Sequence, residues 1–220
     1  MSCFRTVKTF ALAVLIIVGF AVQSNQAKAN ELETLTVAGG CFWCVEADFE
    51  KVQGVAEVVS GFTGGTVENP TYKQVVRGGT GHYEAVQITF DPSVVSRESI
   101  LALFFRSIDP TDAGGQFCDR GETYRTAIFP SDPAQLTAAE KAKQQAEAQL
   151  GKTIVTPILP NGAFYPAEAY HQDFYKSSDV ILTRFGPKRK SAAYVSYRKS
   201  CKRDERIREL WGSDAPFVGG

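Results

Sequence analysis

Apolar and polar positions along this chain recur at two periods, and their order predicts strands and helices in turn. Leu35, Val37 and Ala38 stop at Gly39-Gly40, which reads as a short buried strand running into a tight turn. From Cys41 onward Phe42, Val45, Phe49 and Val52 recur at helical spacing, with Glu46, Asp48, Glu50 and Lys51 between them, until Gly54 stops the helix. Val55 to Phe62 reads as a strand, closed by Gly64-Gly65. Tyr72 to Val76 reads as a short helix and Gly78 to Gly81 as a flexible turn. His82 to Phe90 alternates as a strand does and ends at Asp91-Pro92. Ser96 begins a helix with Ile100, Leu101, Leu103, Phe104 and Ile108 on its inner face, and Asp109-Pro110 ends it.

Thr111 to Thr123 is poor in apolar residues and rich in glycine, a long loop of the kind that carries function. Tyr124 to Phe129 returns as a strand. Thr137 to Leu150 reads as a surface helix with little apolar content, Thr153 to Leu159 as a β-branched strand and Ala167 to Lys176 as a helix. The opening order, strand-helix-strand with a hairpin-like return, predicts an α+β fold. It is read as a two-layer sandwich with a mixed, mainly antiparallel sheet, and a doubly wound parallel sheet is the second reading.

The first 29 residues stand apart. Arg5 and Lys8 precede an apolar run from Phe10 to Val22, and Ala27-Lys28-Ala29 follows with small residues at the cleavage-determining positions. This predicts a secretory signal peptide cut after Ala29, leaving residues 30–220 as a single domain in a periplasm or beyond. The apolar run falls short of the roughly 20 residues a comfortable membrane span needs.

Of 220 residues, 44% are hydrophobic and 22% charged, which gives enough mass for one sizeable core. Lys plus Arg and Asp plus Glu number 24 each, so the formal net charge is zero and nucleic acid is excluded as a main partner. Basic residues cluster at Lys188 to Lys190 and from Arg198 to Arg208, read as a solvated C-terminal tail.

Cys41, Cys44, Cys118 and Cys201 remain after the leader. No second ligand pair and only His82 and His171 accompany them, so neither a structural zinc site nor any other metal is expected. A Cys41–Cys44 disulfide closes too short a loop to add much stability. The redox reading has a physical reason. A thiol at a helix N-terminus meets unpaired N–H groups and the positive end of the dipole, which lower its pKa from about 8.5 toward roughly 3.5–7.5. Cys41 is the better placed of the two. Phe42 and Trp43 between the cysteines make a poor docking surface for protein disulfides, yet they could wall in a methyl group on sulfur. Taken singly, Glu84, Tyr72, Tyr124, His82 and His171 read as ordinary strand, packing or hydrogen-bonding residues.

The stretch GGCFWCVEADFEKVQGV resembles the signature of the peptide methionine sulfoxide reductase A family. SGFTGG (60–65), NPTYKQVVRGGTGHYEAV (69–86), DRGETYRTAIF (119–129) and FYPAEAYHQDFY (164–175) follow in the family's order. The resemblance implies a ferredoxin-like sandwich and thiol-dependent reduction of methionine S-sulfoxide, free or in proteins, without a cofactor. It implies Cys41 as nucleophile, Phe42 and Trp43 around the substrate methyl, and Glu84 as the acid. Tyr72 and Tyr124 are then hydrogen-bond donors to the sulfoxide oxygen, and Asp119 helps organise the site. Such residue types suit the reaction, because removing oxygen from sulfur needs a soft nucleophile and a proton donor together. The sulfenic acid left on Cys41 would condense with a second thiol. Candidates for that resolving role are Cys201, Cys118 and Cys44; many members carry Gly at the position of Cys44, and AGGQFCD and the C-terminal region also depart from the pattern. Export implies a periplasmic thioredoxin-like reductant and no stable membrane association once the leader is removed. The alternative is an exported thiol-disulfide oxidoreductase using Cys41–Cys44.

Overall fold

The computed structural model describes residues 31–183 and 186–219, so the predicted leader, its cleavage site and Cys3 lie outside the described residues. Strand β1 (Glu33–Gly39) leads into helix α1 (Phe42–Phe49), followed by β2 (Val55–Thr63), helix α2 (Tyr72–Arg77), β3 (Tyr83–Phe90) and helix α3 (Arg97–Ser107). A small hairpin, β4 (Gly115–Gln116) and β5 (Asp119–Arg120), precedes β6 (Thr126–Phe129), helix α4 (Pro133–Leu150) and β7 (Tyr165–Pro166). The chain closes with β8 (Val180–Thr183), β9 (Gly186–Arg189) and helices α5 (Lys190–Ser200) and α6 (Arg203–Trp211). Among the described residues no helix is long and apolar enough to cross a membrane.

The main sheet has the order β6-β1-β3-β2-β7 and is antiparallel at every strand pairing. With α1 between β1 and β2 and α3 between β3 and β6, this is the ferredoxin-like βαββαβ arrangement. Among the described residues the one parallel contact is an isolated bridge between Ile128 and Ile158. Alternation along β3 divides its side chains between two layers. Val86, Ile88 and Phe90 join the core under the helices, where Phe42, Phe49, Leu101 and Phe104 meet them. Tyr83 and Ala85 pack on the other face with Ala38, Ala127 and Phe129.

Helix α4 starts four residues before its expected start, because Asp132 caps it through the Gln135 N–H and Pro133 suits the first turn. Its inner face is Ala138, Ala139, Ala142 and Ala146, which lets it lie close to the core without large apolar residues. The strand expected over 153–159 is irregular chain. Pro157 has no N–H to give a ladder; its carbonyl accepts from Ile128, and Leu159 N–H donates back to the Ile128 carbonyl. The helix expected over 167–176 is a 3₁₀ turn at Ala169–His171 followed by turns, since Asp173 adopts a left-handed φ of 56°. Gln172 there binds back to β2, accepting from Ser60 N–H and donating to Ser60 and Ala167 carbonyls.

The C-terminal basic segment is not a solvated tail. Arg198 is 5% exposed and Arg203 2%, and both face Asp48 on the buried side of α1. Arg198 pairs with Asp48 at 2.7 Å across 150 residues of chain and also holds Asp204, Tyr194 and the Phe217 carbonyl. A charge run that reads as surface is drawn inward because Asp48 needs a partner.

Candidate active site

The turn from β1 into α1 sets the geometry of everything around it. Gly40 has φ 83°, which a residue with a Cβ rarely adopts, and a Cβ there would lie 2.6 Å from Gln116 of β4. The close approach lets the β4–β5 hairpin sit directly against the turn. Cys41 is the N-cap of α1, and its carbonyl accepts from the Cys44 N–H at 3.0 Å. The next amide, Phe42 N–H, donates to Glu84 Oε2 at 3.0 Å. Nucleophile and carboxyl are thus joined by a single backbone link between α1 and β3.

Glu84 is 1% exposed, and burial pushes its carboxyl up to about 8, with nearby Asp119 adding to the rise and the Phe42 amide opposing it. It therefore holds a proton at neutral pH. Tyr72 and Tyr124 come together beside it, each felt by the other, and both are pushed well above the ordinary phenol range, first by burial and then by Glu84. Their meeting has a local cause. A capping box between Thr71 and Gln74 starts α2 at Tyr72, and the Thr123 hydroxyl donates to the Val75 carbonyl of the same helix. Tyr124 lies at the end of a 3₁₀ turn, just before β6 rather than inside it.

Cys41 departs from its expected state. At 6% exposure burial raises its thiol pKa well above the usual range, and Cys44, Glu84 and Asp119 raise it further. The two thiols act on each other, and Cys44 is the one pulled down, by its Cys41 neighbour first and then by Arg203 and Arg198 against the cost of burial. Asp119 is pushed up by burial and held by a hydrogen bond from the Tyr197 hydroxyl of α5.

Aromatic rings close the rest of the site. Phe42 lies against Tyr72 and Phe62 at 6.1 and 5.8 Å, and Trp43 stacks on Phe174 at 3.8 Å with planes 10° apart. His171 sits between Tyr72 and Trp43 at 4.2 and 5.6 Å, with neither ring nitrogen hydrogen-bonded. Burial lowers its pKa to about 4, so it is a neutral, ring-shaped wall rather than the hydrogen-bonded helix residue expected. His82 is structural as expected, accepting from Gly65 N–H at Nδ1 with Nε2 on the Val67 carbonyl.

Cys118 and Cys201 form a disulfide between the β4–β5 turn and the end of α5, 83 residues apart in sequence. Cys41 and Cys44 are free thiols. A family model described as "Peptide methionine sulfoxide reductase" matches residues 33–214. The chain belongs to the peptide methionine sulfoxide reductase family.

Relatives in this family match most of this chain. "Peptide methionine sulfoxide reductase MsrA 2" of Staphylococcus aureus is 48% identical over 183 residues, covering 82% of this chain and 97% of the relative. "Peptide methionine sulfoxide reductase MsrA/MsrB" of Vibrio cholerae is 47% identical over 81% of this chain, which spans only 45% of that longer protein. Among solved structures, methionine sulfoxide reductase A of Corynebacterium diphtheriae superposes with a TM-score of 0.62 at 31% identity. The match covers 67% of this chain and 75% of that one. The α+β sandwich with its mainly antiparallel sheet is that family's architecture.

Cys41, Phe42, Glu84, Tyr72, Tyr124 and Asp119 lie in one neighbourhood, and Trp43 forms its aromatic edge. Sequence reasoning missed Tyr197, Arg198, Arg203 and Asp48. The only trace of them is an acidic residue on the inner face of α1, which demands a cation from elsewhere.

Proposed function

We propose that this protein reduces methionine sulfoxide, specifically the S epimer, to methionine by thiol chemistry at Cys41. The observation that carries this reading is the buried junction of Cys41, a protonated Glu84 on the Phe42 amide and the phenols of Tyr72 and Tyr124. The sulfoxide oxygen would lie against Glu84 and the two phenols, with its methyl against Phe42 and Trp43. Cys41 gives up its proton as its sulfur attacks the substrate sulfur, and Glu84 passes a proton to the oxygen. The S–O bond breaks, oxygen moves to Cys41 as a sulfenic acid, and methionine leaves with the electron pair; the thiol proton restores Glu84. Neutral phenols supply hydrogen bonds where negative charge develops.

Cys44 is the resolving residue in this reading, rather than Cys201 or Cys118. Cys44 lies one helical turn from Cys41 in the same buried cluster, and its attack on the sulfenic acid releases water and leaves a Cys41–Cys44 disulfide. Cys118 and Cys201, when reduced, would take over that disulfide and present it outward at the exposed Cys118 to a thioredoxin-like dithiol. The arrangement described, inner pair reduced and outer pair oxidised, fits the moment after that transfer.

A thiol-disulfide exchanger using Cys41–Cys44 is disfavoured, because both sulfurs are buried behind aromatic rings. Incubating the mature protein with dithiothreitol and each epimer of a blocked methionine sulfoxide is the test. Loss of the S epimer alone supports the proposal; loss of neither abandons it. From Arg5, Lys8, the run Phe10–Val22 and Ala27-Lys28-Ala29 we further propose export to a periplasm or beyond, with a reductant relayed there. N-terminal sequencing of the protein from its native host should begin at Asn30.

A further inference from the structure

A cleft of about 540 Å³ opens beside the reacting groups and is not lined by Cys41, Glu84, Tyr72 or Tyr124. Its walls are Trp43, Phe174, Ile181, Ala193 and Tyr197, with the Cys118–Cys201 disulfide at one side. That volume lies within the roughly 300–1,000 Å³ of ordinary ligand pockets, and its lining is almost wholly apolar. It borders the reaction centre across packed side chains. Trp43, Phe174, Ile181, Ala193 and Tyr197 pack in the same cluster as Cys41 and Cys44, and Trp43 is the shared wall. The outer wall is built by β8 and α5.

Resting on the reading above, we propose that this cleft is a subsite for an apolar residue next to the oxidised methionine. Free methionine sulfoxide has nothing to place there. A neighbouring residue of a bound chain lies within reach of the sulfoxide by necessity, since consecutive Cα atoms are about 3.8 Å apart. Ile181, Ala193 and the Trp43–Phe174 stack would then desolvate a leucine or phenylalanine side chain and leave a serine unrewarded. A dithiol protein docking on Cys118–Cys201 is the competing occupant, and the choice of reductant separates the two.

The test uses dithiothreitol as sole reductant. It compares blocked methionine S-sulfoxide with tripeptides that place Leu, Phe or Ser before or after the oxidised residue. Leu or Phe on one side should raise kcat/KM about tenfold over Ser and over the blocked amino acid. Ser196→Trp, which fills the cleft from the half-exposed face of α5, should erase that advantage and leave the blocked amino acid within about twofold. Should Ser196→Trp disturb folding, Ile181→Asn is the second variant and should act in the same direction. Equal rates for Leu, Phe and Ser on both sides would overturn the subsite, as would a preference that survives both variants. So would a variant that slows only turnover with a dithiol protein, since the cleft would then belong to the reductant. If the blocked amino acid itself is not reduced, the proposed activity fails instead, and the two failures are told apart.

Discussion

The two cysteine pairs of this protein are built on opposite plans. Cys41 and Cys44 lie one helical turn apart, buried, reduced and surrounded by rings and carboxyls, with the charged Arg198 and Arg203 behind them. Cys118 and Cys201 come from distant stretches of chain, are joined as a disulfide, and leave Cys118 at the surface. Burial favours chemistry that must exclude water and hold a proton on Glu84; exposure favours exchange with another protein. The difference teaches that one chain can keep the oxygen-removing step and the electron-supplying step in separate dielectric surroundings. Arg203 lies between the two surroundings, its guanidinium 4.6 Å over the Phe117 ring, next in sequence to Cys118, and 3.9 Å from Asp48 of the helix that carries Cys44.

The division of labour can be broken most decisively at the nucleophile. Cys41→Ser should lower the first turnover of fully reduced protein by more than about 10³-fold, whereas Cys118→Ser should leave that first turnover within about threefold. Equal losses, read by rapid quench and chromatography of methionine, would erase the distinction. Glu84→Gln sharpens it next, with a loss of about 10²-fold or more at pH 6–7. The wild-type carboxyl loses its proton as pH rises through about 8, so the two rates should converge above that pH. The same shift predicts a stability effect. Glu84 in the unfolded chain ionises near 4.5, while in the fold it keeps its proton to about 8, so the native state binds the extra proton between those values. Wild-type stability should fall across that window, and the Gln variant should lack the slope in chemical denaturation.

A smaller effect is expected at the resolver. Cys44→Ser should spare the first turnover but cut steady-state turnover by about tenfold or more, with a dimedone-reactive sulfenic acid accumulating on Cys41. Smallest is the difference in labelling. After full reduction, iodoacetamide at pH 7 should modify Cys118 about tenfold faster than Cys41, and mass spectrometry of the peptides should see the gap narrow as pH rises.

The placement of the inner pair was legible in the sequence because the turn and helix that carry it are local and periodic. Gly39-Gly40 announces the turn, the spacing of Phe42, Val45 and Phe49 announces the helix, and alternation along β3 puts Glu84 on the helix side. The outer pair was not legible as a pair, because connectivity among four cysteines cannot be deduced from spacing. Nor were α5 and α6, whose charges read as solvent-facing until Asp48 is known to be buried. The rise in the Cys41 pKa was not legible for a similar reason: it comes first from burial, which only the fold reveals. Pro157 was visible and should have weighed against a strand over 153–159.

The hydrogen bond from Phe42 N–H to Glu84 has one further meaning for anyone wishing to remodel this protein. A single peptide plane serves as the common datum from which both the attacking sulfur and the proton donor are measured. Lengthening the chain by one residue between Gly40 and Phe42 would put the two out of register at once, and no adjustment of side chains elsewhere could bring either back alone.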